Sequence, residues 1–295
     1  MKIGSLCTGY GGLDMAAEAY FNAETVWTCE FDKHASKIIA ERINKPNYGN
    51  LKTNDWSQVE PIDILTAGYP CQPFSQAGLR KGSDDERHLW PYIKEIIREL
   101  RPKYVLLENV RGHFGLGFRE VLGDLTSIGY NARWTLIRAS DVGAPHRRER
   151  LFIVAYPDST RRARADTCSV QEEQSRDSGS NDYVSIADTY SDTRTQSRGA
   201  HTKLRAASPR LRGGQNQGKA RAKPRFSLEM DKENVPSALE QGRLNVAFVE
   251  YMMGLPKGWV TDVDLPRSQM LKILGNGVVP QQAYKALQIL LDNNV

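Results

Sequence analysis

Four cysteines in 295 residues, with no Cys-x-x-Cys pair and no histidine at zinc-ligand spacing, exclude a disulfide framework and a cysteine-held metal site. Long apolar runs are missing too. Nothing approaches the ~18 apolar residues of a membrane span, and the N-terminus turns glycine-rich where a secretion signal would stay apolar. A soluble, cytoplasmic protein with no membrane partner is predicted. Acids are absent between Asp192 and Glu229, a stretch that holds ten Arg and Lys. That segment carries +10 of a chain whose net charge is +5, so the remainder sums to −5. The chain is a mildly acidic body with a basic insert, long enough to bury a large core.

What is present over residues 1–156 is an alternation of strands and helices. Strand candidates are 2–6, 25–29, 62–67, 104–107 and 151–155, each a short apolar run ended by a glycine, an acid or a proline. Between them Leu89, Tyr92, Ile93, Ile96, Ile97 and Leu100, and then Phe118, Val121, Leu122, Leu125 and Ile128, recur at helical spacing. Such alternation predicts a parallel, doubly wound α/β sheet with helices on both faces. From residue 157 to about 225 the periodicity disappears among Ser, Thr, Arg, Asp and Gly, which predicts a partly flexible segment. Order returns near Leu228, with a short helix over 245–253 and a last one opened by Pro280.

Four segments carry candidate chemistry. In Ser5-Leu6-Cys7-Thr8-Gly9-Tyr10-Gly11-Gly12-Leu13 a strand runs into a glycine turn and a helix, whose free N–H groups suit a nucleotide-type ligand. Glu30 follows Gly11 by 19 residues, where an acid can accept both hydroxyls of a ribose. Gly68-Tyr69-Pro70-Cys71-Gln72-Pro73 places a thiol between two prolines at the carboxyl edge of the sheet, a poor place for a core cysteine and a good one for a nucleophile. Leu107-Glu108-Asn109-Val110 ends an apolar strand in a carboxylate that burial would turn into an acid usable near neutral pH. His146-Arg147-Arg148-Glu149-Arg150 is a basic cluster leading into another strand.

In this order the four segments resemble the C5-cytosine DNA methyltransferases. The glycine turn is similar to that family's S-adenosylmethionine loop, Pro70-Cys71-Gln72 to its nucleophile motif, Glu108-Asn109-Val110 to its E-N-V motif and Arg148-Glu149-Arg150 to its R-x-R motif. Leu274-Gly275-Asn276-Gly277-Val278 resembles its closing G-N-S-V motif. The likeness covers residues 1–156 and 245–295. The family usually has an aromatic where Cys7 stands, Gln where His146 stands and Ser where Gly277 stands.

The resemblance implies a Rossmann-like S-adenosylmethionine-dependent methyltransferase fold with a small, irregular target-recognition segment. Residues 1–156 would form the catalytic and cofactor-binding domain, 157–244 the recognition region, and 245–295 a C-terminal segment returning to the first. It further implies that Cys71, as thiolate, adds to C6 of a flipped cytosine while Glu108 bonds the base, Arg150 contacts it, Arg148 supports Arg150 and Asn109 holds the Cys71 loop. The cofactor would be held by Cys7, Gly9, Gly11, Gly12 and Leu13, with Glu30 at the ribose and Phe31 on the adenine. Asp55 and Trp56 would lie beside the adenine, Gly68 and Pro70 near the methionine, and Leu89, Asn276 and Gly277 would close the site. Double-stranded DNA is the implied partner, met by Gln72 and Ser75 and by Arg205, Arg210, Arg212, Lys219 and Arg221 of the basic segment, whose charges attract phosphate without reading sequence. A monomeric enzyme of DNA modification, paired with a restriction endonuclease, follows; an RNA-directed enzyme of the same chemistry and an inactive DNA-binding relative are the alternatives.

Overall fold

The computed structural model describes residues 1–70, 89–158, 226–230 and 234–292. Cys71, Gln72, Ser75, Arg205, Arg210, Arg212, Lys219 and Arg221, and most of the basic segment, lie outside the described residues.

The strand-and-helix alternation is borne out in the order β1 (Lys2–Leu6), α1 (Gly12–Phe21), β2 (Glu24–Cys29), α2 (Lys33–Arg42), β3 (Ile64–Gly68), α3 (Trp90–Leu100), β4 (Tyr104–Val110) and α4 (Phe118–Ser127). Then come β5 (Tyr130–Ile137) and β6 (Arg150–Pro157). After the basic segment follow a two-strand hairpin, β7 (Leu239–Glu240) and β8 (Arg243–Leu244), and the helices α5 (Val246–Met252), α6 (Arg267–Asn276) and α7 (Pro280–Leu287). No helix among the described residues is long and apolar enough to cross a membrane.

The six-stranded sheet has the order β2-β1-β3-β4-β6-β5. The first four strands pair in parallel, but β6 runs antiparallel to both of its neighbours. The all-parallel expectation is therefore corrected at one strand. Strand direction leaves no mark on local composition, since the buried run Leu151–Ala155 reads the same either way. The strand β5 also went unpredicted. Its sequence Tyr-Asn-Ala-Arg-Trp-Thr-Leu-Ile is mostly half-exposed at the sheet edge and alternates apolar with polar residues, so it lacks the continuous apolar run by which the other strands were picked out.

Alternate residues of each strand feed opposite layers. Leu65, Ala67, Val105, Leu107, Leu151 and Ile153 meet the α3 and α4 stripe of Ile93, Ile96, Ile97, Val121 and Leu125. Ile3, Ile64, Leu106, Phe152 and Val154 meet Leu13, Ala16 and Ala17 of α1 with Ala283, Ala286 and Leu287 of α7. Each such large side chain contributes about 1.5–3 kcal/mol by leaving water. The double cover leaves the carboxyl edge of β1, β3 and β4 as the rim where the glycine turn, Gly68-Tyr69-Pro70 and the E-N-V motif converge.

Candidate active site

Glu108 is the centre of this rim. Strand β4 continues to Val110, so Glu108 and Asn109 lie inside the strand and not beyond its end, as the sequence reading had it. Glu108 faces Gly68 of β3 on one side and Phe152 of β6 on the other. Its carboxylate is buried and forms an ion pair with Arg150, Oε1 to Nε 3.1 Å. Burial raises its pKa to about 7, against the opposing pull of Arg150 and then Arg148. Gly68 leaves space beside it: a Cβ there would stand 3.6 Å from Glu108 Oε2 and 3.8 Å from Val278 Cγ2.

Asn109 is buried, and its amide donates to the Tyr69 carbonyl at 3.3 Å while its Oδ1 accepts from Val110 N at 2.9 Å. The end of β4 is thereby tied to the chain two residues before Cys71. Arg150 opens the reversed strand β6, and Arg148 lies in the loop two residues before it. Arg148 has φ +28°, a conformation that non-glycine residues avoid, and Gln282 holds it there by donating to the Arg148 carbonyl at 2.8 Å and to that of Ile137 at 2.6 Å. Arg148 Nη2 donates to the carbonyls of Gly275 at 2.8 Å and Gly277 at 2.6 Å, on either side of Asn276 at the C-terminal end of α6. Glu149 turns away and pairs with Arg111 and Arg138. His146, in place of glutamine, is hydrogen-bonded to the Met252 carbonyl at 2.9 Å, and burial lowers its pKa.

The glycine turn forms a second part of the rim. Gly11 caps α1 at φ +85°, which a side chain would strain. At Gly9 a Cβ would project into open space. Glu30 takes the Gly9 N–H at 2.9 Å and the Asp32 N–H at 2.8 Å, so it braces the turn, and burial raises its pKa. Phe31 is 78% exposed, so it is no part of the core. Trp56 has the opposite setting, 7% exposed and packed on Trp27 and Tyr48, so it is a core residue whatever else it touches. Asp55 caps the turn after it through Ser57 and is exposed. Cys7 has its thiol pushed well above the ordinary range by burial, which leaves it a packing residue. Leu89 caps α3 and packs on the core, while Pro70 and Asn276 are exposed.

Several residues of this arrangement were not singled out by sequence. Asp14 is a buried acid beneath the turn, accepting from Ser5 Oγ at 2.9 Å and from Thr66 Oγ1, and burial raises its pKa to about 6. Glu250 is buried and accepts from Gly258 N, Val260 N, Thr261 N and Thr261 Oγ1 at 2.6–3.0 Å. The turn it gathers reaches the glycine turn through Trp259 Nε1, which donates to the Tyr10 carbonyl at 2.9 Å. A buried Glu flanked by aromatics on an amphipathic helix is the only signal that could have marked Glu250.

Residues 1–238 match the family of C-5 cytosine-specific DNA methylases. Among curated relatives, the Type II methyltransferase M.NgoBI of Neisseria gonorrhoeae is 36% identical over 159 residues, 52% of this chain and 50% of its own length. The Type II methyltransferase M1.ScrFI of Lactococcus lactis subsp. cremoris is 36% identical over 160 residues, 52% and 41% of the two chains. The chain thus spans about half the length of the curated relatives it matches. Among solved structures, the Entamoeba histolytica methyltransferase EhMeth superposes with a TM-score of 0.62 over 99% of this chain and 98% of that one at 16% identity, a likeness of fold alone.

Proposed function

Since the chain belongs to the C-5 cytosine-specific DNA methylases, we propose that it methylates C5 of cytosine in double-stranded DNA, with S-adenosylmethionine as donor. The observation that carries this reading is the buried Glu108, its pKa raised to about 7 by burial with Arg150 at 3.1 Å, on a strand that Asn109 ties to Tyr69.

C5 of cytosine is too weak a nucleophile to take a methyl group unaided. Cys71 as thiolate adds to C6, and Glu108, protonated, donates to N3 and accepts from the 4-amino group, so electron density moves to C5. Arg150 holds the base and Arg148 fixes Arg150's surroundings. The base must leave the duplex stack to reach this rim. Once C5 has taken the methyl group, it loses its proton to a base and the Cys71–C6 bond breaks, which restores the thiolate and the aromatic ring.

S-adenosylmethionine, when bound, supplies an electrophilic methyl group. The residues fit it: the open space at Gly9 before the N-terminus of α1, the Glu30 carboxylate and the exposed Phe31 ring stand together at the ends of β1 and β2. In this reading Cys7, Gly11, Gly12 and Leu13 shape the turn, Asp55 and Trp56 border the adenine, Gly68 and Pro70 the methionine, and Leu89, Asn276 and Gly277 close the pocket. Gln72, Ser75 and the cations of the basic segment meet DNA, with residues 157–244 as recognition region. The reading includes a monomeric enzyme of DNA modification with a partner endonuclease, neither of which the relatives' names, Type II methyltransferases, state.

The test offers labelled S-adenosylmethionine with DNA and with RNA. Label entering DNA at cytosine, lost in Cys71→Ser, and a covalent adduct with 5-fluorocytosine DNA are expected. Label in RNA alone, or full turnover by Cys71→Ser, refutes the reading.

A further inference from the structure

Tyr10 sits in the middle of the glycine turn, wholly buried, and takes no part in the reaction described above. Its hydroxyl donates to the Val278 carbonyl at 2.8 Å, and its own carbonyl accepts from the Trp259 indole at 2.9 Å. The ring lies against Gly277, where a Cβ would stand 1.9 Å from Tyr10 Cε1 and 2.3 Å from Cζ. Two residues after Tyr10, a Cβ at Gly12 would stand 2.1 Å from the Val278 carbonyl oxygen. Two chain segments more than 260 residues apart are therefore in mutual contact through one ring and two missing side chains. On its other side Gly277 offers its carbonyl to Arg148 at 2.6 Å.

We propose that Tyr10 is a positioning residue for Arg148: ring and bare Gly277 backbone form a complementary pair that sets the carbonyl which Arg148 grips. The pairing explains a departure seen in the sequence, glycine at a position where the resembled family usually has serine. A serine side chain and the Tyr10 ring would occupy the same space, and neither neighbour is the flexible end of a long chain. Removing a bulky ring opposite should make the side chain tolerable. The kinetic part of this inference rests on the catalytic reading of Arg148, whereas the steric part does not.

The experiment compares the wild type with Gly277→Ser, Tyr10→Leu and the double variant, by thermal unfolding and by methyl transfer as a function of pH. Gly277→Ser is expected to unfold at a lower temperature and to turn over about tenfold or more slowly, because a displacement of around an ångström at a gripped side chain is costly. Tyr10→Leu/Gly277→Ser is expected to regain much of both, a non-additive result that only paired residues give. Displacing Arg148 also removes a charge that lowers the Glu108 pKa. The falling limb of the pH profile should move to higher pH in Gly277→Ser and return in the double variant, which loss of fold alone would not produce. If Gly277→Ser yields no folded protein, the double variant matching Tyr10→Leu within about threefold supports the pairing. Gly277→Ser indistinguishable from wild type, or losses that simply add in the double variant, overturns it. A wild type that transfers no methyl group sinks the proposed function, while the unfolding comparison still decides the steric pairing.

Discussion

Replacing Glu108 by glutamine separates the ionisation of this residue from everything else at the rim. The carboxyl is held at about 7 instead of its ordinary 4.5, so its anion is disfavoured in the fold by about 3 kcal/mol. A raised folded-state value means that the fold binds this proton more tightly than the unfolded chain does. The resulting stability is fully present below pH 4.5 and is lost as pH rises through 7. Turnover needs neutral Glu108 and ionised Cys71, so wild-type kcat should rise and then fall with pH. On the far side it should drop about tenfold per pH unit as Glu108 ionises. Glu108→Gln cannot ionise. Its rate, lower at the optimum, should climb with thiolate formation and then stay level, and its urea-unfolding free energy should lose much of the decline between pH 4.5 and 7. Single-turnover methyl transfer from pH 5.5 to 9.5, with unfolding curves at matching pH, provides both readouts. A wild-type profile with no falling limb, or a falling limb that survives in Glu108→Gln, would refute the assignment.

Three further outcomes are expected. Asp14→Asn should flatten the part of the stability profile that declines between about pH 4 and 6, because burial holds Asp14 at about 6 and its stabilisation is lost as pH rises through that value; an unchanged profile in unfolding experiments argues against it. Glu250→Ala strands the N–H groups of Gly258, Val260 and Thr261 and should cost about 3–5 kcal/mol in urea unfolding; a loss below about 1 kcal/mol would leave the turn held by something else. Phe31→Ala, at a position 78% exposed, should change unfolding by no more than about 0.5 kcal/mol yet weaken S-adenosylmethionine binding in calorimetry about tenfold or more, roughly the worth of one lost aromatic stack; unchanged affinity removes Phe31 from the cofactor site.

Much of the architecture was legible because the physics that writes it is local. The stripes of α3 and α4, the proline opening α7 and the apolar runs of β1, β3 and β4 each depend on neighbours within a few residues. The edge strand β5 carries the period-2 alternation of a half-buried strand, with Asn131, Arg133 and Thr135 between its apolar residues, and was passed over because only continuous apolar runs were read as strands. Helix α2 was missed for a related reason: Ala35, Ile38 and Ile39 are its only buried residues, and its start is set by the Asp32 cap. At the site, Glu108, Asn109, Arg148 and Arg150 could be named from motifs, but what each touches could not. The hydrogen bond from Tyr10 to Val278 and that from Gln282 to Arg148 span 268 and 134 residues. No window along the chain contains both partners.

The single reversed strand gives the fold a second kind of sensitivity. In the β4–β6 ladder Val110 stands opposite Arg150 and Glu108 opposite Phe152, which sets Glu108 and Arg150 diagonally on one side of the sheet. A slip of β6 by one residue would leave every backbone hydrogen bond replaceable and the layer still closed, yet turn Arg150 to the opposite side and abandon a buried acid without its cation. The length of the connection from Ile137 to Arg150 therefore acts as a tuning element for proton affinity. Insertions tolerated elsewhere on this molecule should there silence the chemistry while leaving a folded protein.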